Sequence, residues 1–266
     1  HSKVLLIIRE ENNGINKYVH FSSGNYNDQT AKLYTDVDLI TSNEGLATDA
    51  SNLFNLLSGY NLDPTFNHLS ISPLNLKGKV IKLINNEITN VKHGKKGHII
   101  AKMNSLVDQS IIDELYKASK AGVKIDLIVR GMCCLKPNIP NLSENITVKS
   151  IVGKYLEHSR ISYFYNDGDE KLFLSSADWR PRNLYRRVEQ MIPIYNKAIK
   201  KQIKNILFNN IKDNQNSWYL NKNGKYEFAK KENKKYNCQK EFFKKRETKN
   251  INKDFLEQIK SKYLSK

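Results

Sequence analysis

Long apolar runs are absent from this 266-residue sequence: nothing in it approaches the roughly 18 consecutive residues that a membrane-spanning helix needs. No signal peptide is expected from its opening residues. Cysteine is scarce, with three residues (Cys133, Cys134 and Cys238) that include an adjacent pair but no Cys-x-x-Cys, which argues against a disulfide framework and a zinc site. Acidic residues are in deficit, 27 against 44 Lys and Arg, for a formal charge of +17. A surplus that large draws in polyanions of any kind: nucleic acid, acidic lipid, nucleotides or inorganic phosphate chains. Apolar material itself is plentiful. Hydrophobic residues make up 39% and aromatics 10%, enough to build a core and to exclude wholesale disorder. The expectation is a cytoplasmic, phosphate-handling protein that touches membranes, if at all, only peripherally.

Residues 3–8 (KVLLII) form a short apolar run of the kind that makes a buried strand. Turn chemistry at 11–14 and a second strand pattern at 17–21 make this a hairpin. Residues 46–58 carry helical spacing at Leu46, Leu53, Phe54 and Leu57, and the turn-rich stretch 59–68 is the clearest domain boundary. An amphipathic helix is expected from just after Pro73 to about Lys92. Strand 98–103, helix 108–122 closed by Gly122, and strand 123–131 make a βαβ unit, hence a parallel pair. Further strands are expected at 146–152, 160–165 and 171–176, and a last helix over 194–211. Beyond Asn209 the composition turns to Lys, Asn and Glu, which reads as a weakly ordered helix or a basic tail. The expected organisation is therefore 1–68, 69–212 and a basic extension, 213–266, that can be deleted without loss of catalysis.

One pattern occurs twice. His1-Ser2-Lys3 begins a strand, and the strand after it ends in Ser22-Ser23-Gly24-Asn25; His158-Ser159-Arg160 begins another, and its successor ends in Ser175-Ser176-Ala177-Asp178. A repeat matching in residue type, order and strand context is far more specific than any single histidine. Side chains alternate along a strand, so the His and the cation two residues on project to one face. Each unit then offers an imidazole, a cation and short polar groups. Two such units facing one another would place two imidazoles around one tetrahedral phosphorus, one to attack and one to serve the leaving oxygen. An unperturbed imidazole pKa of about 6.5 leaves a neutral nucleophile at cell pH. The rest of phosphoryl transfer is positioning and positive charge. Asp178 stands where the first unit has Asn25, so the halves are not chemically equivalent, and a carboxylate there could hold an imidazole tautomer. Arg130 ends a predicted parallel strand, where ligands of open sheets gather, and Gly131 beside it would let a ligand approach. Arg180, Arg182, Arg186 and Arg187 form either a solvated basic face or a phosphate path. Cys133 and Cys134 are expected in the core.

The paired motif resembles the phospholipase D-like superfamily, and longer stretches narrow the resemblance to polyphosphate kinase. They are HFSSGNYNDQTAKLYTDVDLIT (20–41), AKMNSLVDQSIIDELYKASKAGVKIDLIVRGMCCL (101–135), SENITVKSIVGKYLEHSRISYFYN (143–166) and LSSADWRPRNLYRRVE (174–189). The resemblance runs from His1 to about Leu207. It implies an α/β fold of two phospholipase D-like halves, mixed β-sheets flanked by helices around a pseudo-twofold axis, the first half truncated at its N-terminus. It also implies reversible transfer of the ATP γ-phosphate to the end of a polyphosphate chain. By this resemblance His1 is the histidine that becomes phosphorylated, and His158 is the second catalytic histidine and an ATP contact. Tyr34 lies against the ATP base or ribose, and Arg130 contacts its phosphates. Lys3, Asn25, Arg160 and Asp178 give weaker, supporting contacts. Mg2+ is implied with ATP, its ligands expected upstream of His1. ATP, ADP and inorganic polyphosphate are the implied partners, with no specific nucleic acid, and a homo-oligomer is implied for the full-length protein.

Other readings compete. A phospholipase D-like phosphodiesterase or nuclease would use the same histidines, but its usual H-x-K-x4-D pattern fails because position 8 is Ile8. A non-catalytic nucleic-acid binder would account for the charge but has no use for the repeat, and the remaining alternative is an inactive fragment that only binds polyanions.

Overall fold

The computed structural model describes residues 1–12, 14–229 and 234–247. The chain opens with a hairpin, β1 (Lys3–Glu11) and β2 (Gly14–Ser22), whose register sets Lys3 opposite Ser22. Gly14 supplies the turn with φ +108°, a conformation closed to most side chains. A short helix α1 (Asp28–Leu33), capped by the Asn27 side chain, leads into β3 (Tyr34–Thr35). Next, β4 (Asp38–Thr41) pairs with β2, giving a sheet of order β1-β2-β4. Helix α2 (Glu44–Leu57), capped by Asn43, buries Leu46, Ala47, Ala50 and Leu53.

The second unit enters through β5 (Ser70–Ser72) and α3 (Leu76–Lys92). It continues with β6 (His98–Met103), α4 (Gln109–Lys120), β7 (Lys124–Val129) and β8 (Ile146–Ile151). Strands β9 (Leu156–Glu157), β10 (Arg160–Phe164), β11 (Lys171–Ser175) and β12 (Glu189–Pro193) follow, then α5 (Lys197–Lys212). The last described elements are β13 (Ser217–Leu220), β14 (Tyr226–Phe228) and α6 (Cys238–Glu247). Nine strands form one mixed sheet of order β14-β13-β8-β7-β6-β10-β11-β12-β5, parallel at β6, β7 and β8 and antiparallel elsewhere. The expected βαβ unit is present: Asp108 caps α4, Gly122 turns the chain at φ +96°, and β7 returns beside β6. The fold is mixed α/β, as the resemblance implies.

Alternation along the central strands explains two cores rather than one. Ile99, Ala101, Leu127 and Val129 face a cluster built with α3 and α4. Ile100 and Ile128, between them, face a second cluster that includes Val19, Phe21, Leu46 and Leu53 of the first unit and Ile203 and Leu207 of α5. The two units therefore share an apolar core. At their junction the buried Asp49 carboxylate accepts the backbone N–H groups of Asn67, His68 and Leu69 at 2.6–3.2 Å.

Three expectations need correction. Helix α3 begins at Leu76, later than expected, because Ser70–Ser72 pairs with β12 as an edge strand. Cys134 is exposed, and Cys133 is only half-buried against the core. The stretch after residue 212 is not loosely attached: β13 pairs with β8, β14 with β13, and α6 packs back on the fold. Composition concealed this because polar side chains order the segment. Asp213 accepts from the N–H groups of Gln215, Asn216 and Cys238 and from the Ser217 hydroxyl. Residues 230–233 and 248–266 of the expected extension lie outside the described residues. Among the described residues no helix is long and apolar enough to cross a membrane.

Candidate active site

The repeated motif recurs as repeated geometry. Lys3 stands opposite Ser22 on the first hairpin and Arg160 opposite Ser175 on the second. In each unit the first serine hydroxyl accepts the amide two residues on, Gly24 N–H at 2.8 Å and Ala177 N–H at 3.0 Å. Each second serine donates its hydroxyl to a carboxylate 13 residues later, Ser23 to Asp36 (2.7 Å) and Ser176 to Glu189 (2.5 Å). Its oxygen accepts the next amide in both places, Val37 N–H at 3.0 Å and Gln190 N–H at 3.1 Å.

Those carboxylates serve the opposite unit. Asp36, from the first half, lies 2.8 Å from His158 Nδ1 of the second. Glu189, from the second half, lies 3.9 Å from His1 Nδ1 of the first. Backbone contacts exchange in the same sense. The amides of His158 and Ser159 donate to the Thr35 carbonyl at 3.1 Å each, while Ser2 N–H donates to the Val188 carbonyl at 2.9 Å, as does the amino group of His1. This reciprocal swap is a pseudo-twofold relation; a hydrogen bond to Asp36 orients the His158 ring through Nδ1, whereas Glu189 stands near His1 without hydrogen-bonding it.

Electrostatics brings the two halves to one locus. Burial alone would push the Asp36 carboxyl up, but hydrogen bonds from His158 and Ser23 and the charge of Arg160 hold it below the ordinary range. Burial pulls Lys3 down to about 8 against the attraction of Glu189, and both Arg160 and Asp36 act on it. Its ammonium lies 2.6 Å from His1 Nδ1. Glu189 is pushed up by burial, although Ser176 and the nearby cations oppose this. Arg160 is buried, donating to the His158 carbonyl at 2.6 Å and to Asp178 at 3.3 Å. Lys3 beside His1 is thus close enough to Arg160 and Asp36 of the His158 cluster to feel their charges.

A model of polyphosphate kinase C-terminal domain 2 matches residues 69–239, and one of C-terminal domain 1 matches residues 1–63. The chain belongs to the polyphosphate kinase family. The polyphosphate kinase of Halalkalibacterium halodurans is 51% identical over 231 residues, 87% of this chain and 33% of that protein. That of Bacillus anthracis is 51% identical over 86% of this chain and 33% of its own length. In structure, the chain resembles polyphosphate kinase from Porphyromonas gingivalis with a TM-score of 0.87 and 38% identity, over 93% of this chain and 38% of that one. The chain therefore spans about a third of the length of the curated relatives it matches.

The other residues singled out from the sequence fall as follows around His158, Lys3 and Arg160. The Tyr34 and His158 rings lie 4.9 Å apart, inclined by 41°. Arg130 follows β7 and donates through Nε to the Glu157 carbonyl at 2.9 Å, one residue from His158. Arg187, one of the four arginines after Trp179, acts on Lys3 and on the amino group of His1. Asn25 is exposed just beyond the Ser-Ser pair. Asp178 does not hold an imidazole: its carboxylate takes Asn104 N–H at 2.8 Å and the Arg160 guanidinium. Gly131 leaves room for Asn104 rather than for a ligand, since a Cβ there would lie 2.8 Å from the Asn104 side chain.

The two carboxylates that face the rings, Asp36 and Glu189, were not singled out from the sequence, although the signal was present. Ser23 and Asp36 are 13 residues apart, as are Ser176 and Glu189, so the repeat extends further than the Ser-Ser pair. Next to this centre a cavity of about 540 Å³ is lined by Tyr34, Thr35, Lys102, Tyr155, Glu157 and Phe243, among others. Among the described residues there is no group of three or more His, Cys, Asp or Glu that could hold a metal ion.

Proposed function

We propose that this site transfers the γ-phosphoryl group of ATP reversibly to the end of a polyphosphate chain, through a phosphohistidine on His1. The observation that carries the reading is the exchange of carboxylates between halves, which sets Asp36 of the first half against His158 Nδ1 and Glu189 of the second 3.9 Å from His1 Nδ1, beside the buried cations Lys3 and Arg160. Nε2 of His1, the ring nitrogen on the edge away from Lys3 and Glu189, is the attacking atom, and its lone pair is available in the tautomer that carries the ring proton on Nδ1. It forms the P–N bond as the bond from the γ-phosphorus to the β-phosphate oxygen breaks, releasing ADP. A terminal oxygen of the polyphosphate then takes the phosphoryl group, the P–N bond breaks and the imidazole is regenerated. His158 gives and takes the proton at the departing oxygen, its tautomer set by Asp36. Lys3, Arg160 and Arg130 neutralise charge that spreads over the equatorial oxygens. Tyr34, which lines the cavity, is suited to the nucleoside. The +17 charge favours a polyanionic product. Family membership implies a nucleotide-dependent reaction, usually with a metal ion, and Mg2+ carried by the ATP phosphates is the metal this reading uses. The described residues offer it no cluster of their own.

The test is phosphate labelling of the complete polypeptide that carries this chain. With γ-labelled ATP it should gain an acid-labile, alkali-stable phosphate that His1→Gln abolishes. Labelling that persists in the variant, or none in the unsubstituted protein, overturns the role of His1.

A further inference from the structure

We propose that Gln239, carried by the last described helix, is a positioning residue of the active site: its amide clasps the strand that leads into His158 and so fixes that imidazole against Asp36 and Tyr34. The inference rests on reading the site as a phosphotransferase.

The residue lies 81 positions beyond His158 in sequence, yet its side chain is buried beside β9. Its amide pairs with the backbone of Tyr155 in both directions, accepting from the N–H at 3.1 Å and donating to the carbonyl at 2.9 Å. It also donates to Glu157 Oε1 at 2.7 Å. The other oxygen of that carboxylate is held by Lys102 at 2.5 Å and by the Thr35 hydroxyl at 3.1 Å. Lys102 in turn donates to Ser159 Oγ at 2.8 Å. Gln239 therefore completes a closed polar network around residues 155–159, the segment that presents His158.

The network bridges the two halves of the site. Strand β9 pairs in parallel with β3, and the Thr35 carbonyl receives the amides of both His158 and Ser159. Tyr34 precedes Thr35 and Asp36 follows it, so the position of β9 relative to β3 decides how the imidazole meets its carboxylate and its aromatic neighbour. A neutral amide suits the task, because it can give and accept at the strand edge and still donate to a buried carboxylate. The seat is close-fitting on its outer side: a Cβ added at Gly153 would lie 2.6 Å from Gln239 Oε1.

Three variants of the complete polypeptide test this: Gln239→Ala, Gln239→Met and Gly153→Ala, the last displacing the amide without altering it. Each should lower kcat about tenfold or more, the loss typical when a group orienting a reacting histidine is removed. KM for ATP should change less than kcat. Hydrogen exchange should accelerate at the amides of His158 and Ser159 while those of β7 keep their protection. Unchanged kcat with unchanged exchange overturns the proposal. So does an effect confined to KM, or exchange that accelerates equally across the whole sheet, which would mark a purely structural residue. If the unsubstituted protein moves no phosphate between ATP and polyphosphate while the local exchange pattern appears, the phosphotransferase reading fails and the clasp stands.

Discussion

Lys3 lies 2.6 Å from His1 Nδ1 and is 7% exposed, and burial pulls its pKa down to about 8. A cation in that state is useful only while it keeps its proton. As pH rises through about 8 the ammonium of the free protein neutralises, and attraction for the nucleotide phosphates weakens with it. We therefore expect kcat/KM for ATP to fall on that alkaline limb. Lys3→Arg, whose guanidinium stays charged throughout, should carry activity at least about one pH unit further. Superimposable alkaline limbs for the two proteins would remove this charge from the reaction. His1, Lys3, His158 and Arg160 were legible in the sequence because strand alternation needs only a spacing of two to put a ring and a cation on one face. Asp36 and Glu189 were not, since each acts on a ring from the other half, and no local periodicity reports such a contact.

Strands and helices with strong periodic patterns were legible too: the first hairpin, α2, the βαβ unit and the β10–β11 hairpin all lie close to where apolar spacing put them. The exception is the run from Asp213 to the end of α6, where order comes from polar groups. Lys149 on β8 shows how. It is buried, and its ammonium donates to the carbonyls of Asn210, Ile211 and Asp213 at 2.7–3.2 Å, closing the C-terminal end of α5 where the helix dipole favours a cation. Truncating it leaves those carbonyls short of a donor, so Lys149→Ala should cost about 2–4 kcal/mol. Urea denaturation is the measurement, and a loss below about 1 kcal/mol would mean that the carbonyls find other partners. By the same reasoning, deletion from residue 213 onward would bare the β8 edge rather than trim a loose tail.

At the scale of the whole molecule, each half of the site depends on the other. Asp36 belongs to the first unit by sequence and to the second by function. Asp36→Asn keeps the shape and the acceptor oxygen but removes the charge that favours an Nδ1-protonated His158 ring. It should lower kcat by about 10–100-fold with a much smaller change in melting temperature. Steady-state kinetics beside a thermal melt checks this. An unchanged kcat would mean that the His158 tautomer is set elsewhere.

The linear order of residues determined which side chains could do chemistry, because a His-x-cation strand followed by a Ser-Ser turn is a local pattern encoded twice. It also determined most of the regular elements through apolar periodicity, and the family through long matching stretches. Which carboxylate faces which imidazole, and that a glutamine near the far end braces the strand before His158, only the tertiary structure decided. The physical reason is that these contacts join segments 80 to 190 residues apart. Their partners are selected by how two units pack about a shared core, and that geometry has no signature within a window of neighbouring residues.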